Sequence, residues 1–122
     1  MKVNSKLVFN LGVILGILAM VAGSAGAHGI KFESDYHKDL FNTGTFYTFF
    51  HIPVILILGV IGTSKPAYLM FSGIVLFCVP LWTKGMGIFD GGIIVPIGGM
   101  MVIAAWIWLL FAGNDGNKED KA

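Results

Sequence analysis

Five side chains carry most of the chemical possibility in this sequence: His28, His37, His51, Asp90 and Cys78. Histidine is the side chain that titrates near neutrality, so each imidazole is weighed both as a working group and as a structural one. His51 is the sharpest case. It lies in an uncharged run, 12 residues after Asp39 and 14 before Lys65. A polar group in hydrocarbon is costly, so it is expected to face the interior of a helix bundle. Read structurally, it is a neutral imidazole bonded across helices. Its partner would be Asn10, Ser72 or the Phe49 carbonyl, which Pro53 deprives of its helical donor. Read functionally, it lines a polar path for protons or solute, or ligates haem. His28 sits between glycines and reads as a helix-end brace or as a relay residue. His37 falls in a polar segment and reads as solvated. Asp90, alone among glycines, reads as a turn residue or helix cap, since ion binding would want a second carboxylate. Cys78 stands in an apolar run with no second cysteine and reads as a small core residue.

Geometry removes the cofactor options. Two histidines can clamp a haem in a helical bundle only at matching depth. His28 ends one uncharged stretch, and His51 lies about 10–16 Å further along the next at 1.5 Å per residue. No His/Cys/carboxylate spacing resembles a metal site. No Ser-His-Asp set or carboxylate pair is visible. No cofactor, metal or catalytic residue is therefore expected, and the protein is not read as an enzyme.

The elements that must position these residues follow from the charges. Only 12% of the 122 residues are charged, against 56% hydrophobic. A soluble domain this small cannot hide that much apolar surface. A water-soluble monomer, a nucleic-acid binder and a disordered chain are excluded. The charges leave four uncharged stretches: Leu7–Ile30, Leu40–Ser64, Pro66–Thr83 and Gly91–Asn114. Each is within the range of about 17–25 residues that crosses a bilayer as a helix. The fold expected is an all-α membrane protein: four transmembrane helices in a small antiparallel bundle, both termini on the same side. The spans are about 7–29, 38–63, 66–83 and 91–113, followed by a polar tail at 114–122. The first stretch, with Lys2, Lys6 and Ala25-Gly26-Ala27, also has the pattern of a secretory signal. It is expected to remain as an uncleaved first helix. No Arg-rich transit peptide is visible.

Ser34 with Asp35 predicts the start of a helix that runs into the second span. All eight basic residues are lysine. Lys2, Lys6, Lys65, Lys118 and Lys121 fall on the side of the termini, and Lys31, Lys38 and Lys84 on the other. The bias favours termini inside. Small residues recur at a 3.5-residue period. Gly12, Gly16, Ala19, Gly23 and Gly26 do so in the first span, and Gly91, Gly98, Ala105 and Ala112 in the fourth, with Gly99 beside Gly98. This is the period of left-handed helix packing, and small faces let backbones approach in lipid. Trp82, Trp106, Trp108, Tyr36 and Tyr68 read as belt residues near span ends, with inward packing an alternative for Trp106.

Several strings taken together resemble one family. They are Gly26-Ala27-His28-Gly29; Tyr36, Lys38, Asp39, Leu40 and Phe41; His51; Ser72-Gly73 with Leu76-Phe77-Cys78; and Pro96-Ile97-Gly98-Gly99 with Trp106. In order and spacing, from about Leu11 to Gly113, the chain resembles the transmembrane protein 256 family, whose bacterial relatives are called domain of unknown function 423. The resemblance implies a small four-helix membrane protein, of the mitochondrial inner membrane in eukaryotes or the plasma membrane in bacteria. The Leu-Phe-Cys run looks more like the eukaryotic branch. The Ile52-Pro53 pair departs from the family's usual continuation after the histidine.

The function expected on these grounds is structural. The chain would pack against lipid and larger membrane subunits, concretely as a supernumerary subunit of a mitochondrial respiratory-chain complex. The alternative is a small transporter or channel with His51 lining its path.

Overall fold

The computed structural model describes residues 3–112. Lys2, the tail at 114–122, Lys118 and Lys121 lie outside the described residues. Four long helices make up most of the described residues. α1 is Val3–Ser24 and continues through a wider turn over Ala25–Gly29, closed by the Ile30 N–H on the Ala25 carbonyl at 2.9 Å. α2 is Asp35–Ile61, α3 is Ser64–Gly85 and α4 is Ile94–Ala112. All four, α1 with its turn included, are long and apolar enough to cross a membrane. The expected all-α bundle is the fold observed.

The helix ends are set by local chemistry. Ser34 caps α2 in extended backbone and accepts the His37 N–H at 3.3 Å, with Asp35 on the positive end of the helix dipole. Gly62 closes α2 at φ 84°, and the amides of Gly62 and Thr63 both donate to the Leu58 carbonyl. That compact turn sends α3 straight back. α4 starts at Ile94 rather than at about 91 because Gly91 and Gly92 hold positive φ values of 78° and 48°.

Neighbouring helices run antiparallel, as the contacts show. Gly12 faces Leu56 while Gly26 faces Phe41, so rising numbers on α1 meet falling numbers on α2. Gly44 faces Trp82 and Gly85 faces Phe41; Gly91 faces Pro80 and Gly98 faces Gly73. α3 is the hub. It packs on α2 and α4 over most of its length and touches α1 at one end, where the Tyr68 hydroxyl reaches Asn4. The buried stripes are Ser5, Val8, Gly12, Leu15 and Ala19 on α1, and Phe41, Gly44, Thr48, His51, Ile55 and Leu58 on α2. Steps of three and four alternate along each, the 3.5-residue seam of left-handed packing. α4 buries little besides Gly98, Val102, Ala105 and Ala112.

Candidate functional site

Sequence and fold bring a titratable ring and a cross-helix partner together inside the spans at a cleft between α2 and α4, floored by α3. It encloses about 460 Å³. Phe46, Tyr47, Phe50 and His51 form one wall, Ile74 and Phe77 the floor, and Gly99, Val102, Ile103 and Trp106 the other wall. His51 enters it because it continues the buried stripe of α2, three residues beyond Thr48.

Both nitrogens of His51 are engaged. Nδ1 is 2.7 Å from the Tyr47 carbonyl, one helical turn back. Nε2 is 3.0 Å from Nε1 of Trp106. An indole N–H can only donate, so Nε2 must be the acceptor and Nδ1 must carry the proton. The geometry therefore holds one tautomer of the neutral imidazole. Phe50 and Trp106 pack their rings around it, with the Trp106 centroid 5.7 Å from that of the imidazole. The expected partners of His51 need correcting. Asn10 and Ser72 are both exposed, and the carbonyl used is that of Tyr47, not Phe49. Trp106 is the cross-helix partner: the residue stays 39% exposed, while its indole N–H is turned inward to His51. The signal that could have found it is the indole donor itself, which seeks an acceptor wherever it is shielded from water.

A second tie of the same kind was not legible either. Nε1 of Trp82 donates to Oγ1 of Thr45 at 3.0 Å, joining α3 to α2. The threonine hydroxyls of α2 donate to carbonyls of their own helix one turn back: Thr43 Oγ1 to Asp39 O, Thr45 Oγ1 to Phe41 O and Thr48 Oγ1 to Gly44 O.

The remaining candidates lie apart from this cleft. His28 is exposed on the turn that ends α1, beside Gly26, which lies against the Phe41 ring. From the α1–α2 pairing it stands level with Leu40, about 16 Å from the depth of His51 at 1.5 Å per residue. Asp90 is in the α3–α4 connection and pairs with Lys84 at 3.1 Å. His37 contacts Ser34 and stands 3.6 Å from Glu33. Cys78 is buried in the core beneath Gly44. Among the described residues no three of His, Cys, Asp and Glu gather as a metal site would need.

The glycines divide. A Cβ on Gly98 would stand 2.5 Å from the Phe77 nitrogen and 2.8 Å from the Gly73 carbonyl, so α3 and α4 meet backbone to backbone. A Cβ on Gly12 or Gly26 would meet side-chain atoms, of Leu56 and Phe41 respectively. Gly23 and Gly99 have ordinary contacts, and Gly16 has no neighbour within 4 Å. Gly16 instead lies in an open groove with Val13, Ile17, Phe49, Ile52 and Pro53.

Comparison with known proteins agrees with this architecture. A family model described as a protein of unknown function, DUF423, matches residues 22–99. UPF0382 membrane proteins of Staphylococcus aureus, from the bovine strain RF122 and from strain USA300, are each 35% identical to the chain. Both alignments cover 88% of this chain and 94% of the relative. No solved structure matches it. With four helices among the described residues long and apolar enough to cross a membrane, and a match over most of its length, this chain is a small integral membrane protein belonging to the DUF423 family.

Proposed function

We propose that this protein is an accessory component of its membrane, acting by packing against larger membrane proteins and lipid, and not as an enzyme. The observation that carries this reading is how the polar side chains inside the spans are used. His51 and Trp106, and Trp82 and Thr45, spend their donors and acceptors on holding helices together. A proton or solute path needs polar groups with capacity to spare along its length. The cleft beside His51 is walled instead by Phe46, Phe50, Phe77 and Ile103. The bacterial relatives favour the plasma membrane over the mitochondrial inner membrane. A respiratory-chain assembly is the concrete partner class proposed, and the family resemblance itself implies only the membrane.

The test is native-gel fractionation of gently solubilised membranes, with mass spectrometry of every band that contains the chain. Co-migration with a larger membrane complex is expected. Migration alone, at its own mass or as a simple oligomer, overturns the reading. The transporter reading rests on one feature, a titratable ring in an open cleft. It requires flux in liposomes that His51→Ala abolishes; the accessory reading expects no flux with either chain.

A further inference from the structure

The connection between α3 and α4, Met86–Ile93, has apolar side chains in the open: Ile88 is 72% exposed, Phe89 56% and Ile93 73%. Water is a poor environment for three such residues in one short loop. The path of the chain shows where they stand.

The loop folds back on α3. Gly85, the last residue of α3, lies against His37 and Phe41 of α2. The amides of Met86, Gly87 and Ile88 then donate to the carbonyls of Trp82, Lys84 and Thr83, and that of Phe89 reaches the Thr83 carbonyl at 3.4 Å. By Gly91 the backbone has returned to the side of Pro80, where a Cβ would stand 2.7 Å from the proline ring. Pro80 is four residues before Lys84, about 6 Å nearer the bilayer centre at 1.5 Å per residue. Positive φ at Gly87, Gly91 and Gly92 permits the reversal.

Three features of this return suit a segment that leaves bulk water. Four successive amides are satisfied by the protein itself, as the edge of the hydrocarbon demands. The loop's one charge, Asp90, is neutralised by Lys84 at 3.1 Å. Lys84 in turn stands 6.0 Å from the Tyr36 ring, the aromatic–lysine combination of a membrane boundary. The other connection on this end is polar instead: Lys31, Glu33, Ser34 and Asp35 are all exposed. The exposed loop residues are also continuous with the lipid-facing surface of α4, where Ile97, Met100 and Ile103 stand open.

We infer that Met86–Ile93 is seated in the bilayer itself, at the boundary between headgroups and acyl chains, with Ile88, Phe89 and Ile93 in contact with phospholipid. The loop thereby fixes the depth of α4, and the bilayer is the partner of this face. The inference is independent of which membrane protein the chain accompanies.

Nitroxide labels at Ile88→Cys and Phe89→Cys test it, in the full chain in vesicles of phosphatidylcholine and phosphatidylglycerol. Lys31→Cys serves as the water-exposed reference and Ile107→Cys as the lipid-exposed one. Cys78 is buried, and the unsubstituted chain gives its background labelling. Labels at 88 and 89 are expected to collide with oxygen in preference to a water-soluble nickel chelate, as at 107, and the opposite preference is expected at 31. Chelate collisions at 88 and 89 equal to those at 31 overturn the inference, because the loop is then in water. Shielding from both reagents overturns it too, because protein then covers the loop. Both replaced side chains are exposed, so neither substitution removes a core contact.

Discussion

The α3–α4 and α1–α2 interfaces are both lined by small residues, yet they differ in what those residues touch. Between α3 and α4 the contact is reciprocal. A Cβ on Gly98 would meet the backbone of Leu76, Phe77 and Gly73, and one on Gly73 would meet the Gly98 carbonyl at 2.9 Å. Between α1 and α2 the glycines of α1 face side chains or nothing. The close backbone approach there comes from Gly59 of α2, whose Cβ would stand 2.8 Å from the Phe9 nitrogen. A small residue is indispensable where its neighbour is main chain, which cannot rotate away. It is replaceable where the neighbour is the tip of a side chain.

Gly98→Ala should therefore be the most damaging of these glycine changes. The added methyl has no room without separating α3 from α4, and overpacking of this kind costs about 1–3 kcal/mol or more. Alanine's better helix propensity returns at most about 1 kcal/mol. A net loss of about 2 kcal/mol is expected in detergent unfolding titrations. If Gly98→Ala is as stable as the parent, the backbone contact between α3 and α4 is not as close as described.

The α1–α2 side should answer more mildly, and unevenly. Gly59→Ala presses on the Phe9 backbone and should cost about 1–2 kcal/mol by the same overpacking argument. Gly12→Ala meets Leu56 Cδ2 at 2.8 Å, an atom that a rotamer change removes, so less than about 1 kcal/mol is expected. Equal effects at 12 and 59 would erase the distinction between main-chain and side-chain neighbours.

Trp106→Phe asks whether α4 is held by its glycine seam or by the tie to His51. Removing the indole donor leaves Nε2 of His51 without its partner. Hydrogen bonds between membrane helices average about 0.6 kcal/mol and reach about 1.7 kcal/mol. A loss in that range, smaller than that of Gly98→Ala, is expected in the same titration. The Tyr47 carbonyl still holds the proton on Nδ1, so His51 should keep its tautomer while the Nε2 chemical shift loses the signature of a bonded acceptor. A loss exceeding that of Gly98→Ala would make the tie, not the seam, the main support of α4.

Much of this architecture was legible because membrane spans advertise themselves. Charges at Lys6, Lys31, Lys38, Lys65 and Lys84 bracket the runs that became helices, and lipid leaves such runs no other regular form. The stripe Gly91, Gly98, Ala105 and Ala112 is buried along its whole length. What one chain could not reveal is which atoms lie opposite. Gly16 and Gly98 look alike in sequence, and only the facing helix separates them. The partner of His51 stayed hidden for the same reason. It lies 55 positions away, on a helix joined to α2 mainly through α3. Trp106 near a span end reads as a belt residue until the phase of α4 is known. The fold-back of the α3–α4 loop depends on three positive-φ glycines, whose backbone freedom says that the chain can turn but not where it goes.

Gly16→Ala is the gentlest of these tests and the one that isolates composition from contact. Gly16 belongs to the same repeat as Gly12 and Ala19, so a reading from spacing alone makes it as sensitive as Gly12. No atom lies within 4 Å of where its Cβ would be. The methyl would enter the groove beside Val13 and Ile17, which remains open in the isolated chain. Nothing is displaced, and the helix loses a residue of high backbone entropy, so stability should rise by up to about 1 kcal/mol. Unfolding titration of the purified protein is the measurement. A clear loss there would mean that α1 and α2 approach more closely at Gly16 than the fold described here allows. A gain in the purified chain together with weaker co-migration in native gels would locate the partner's contact on this groove, outside the bundle's own packing.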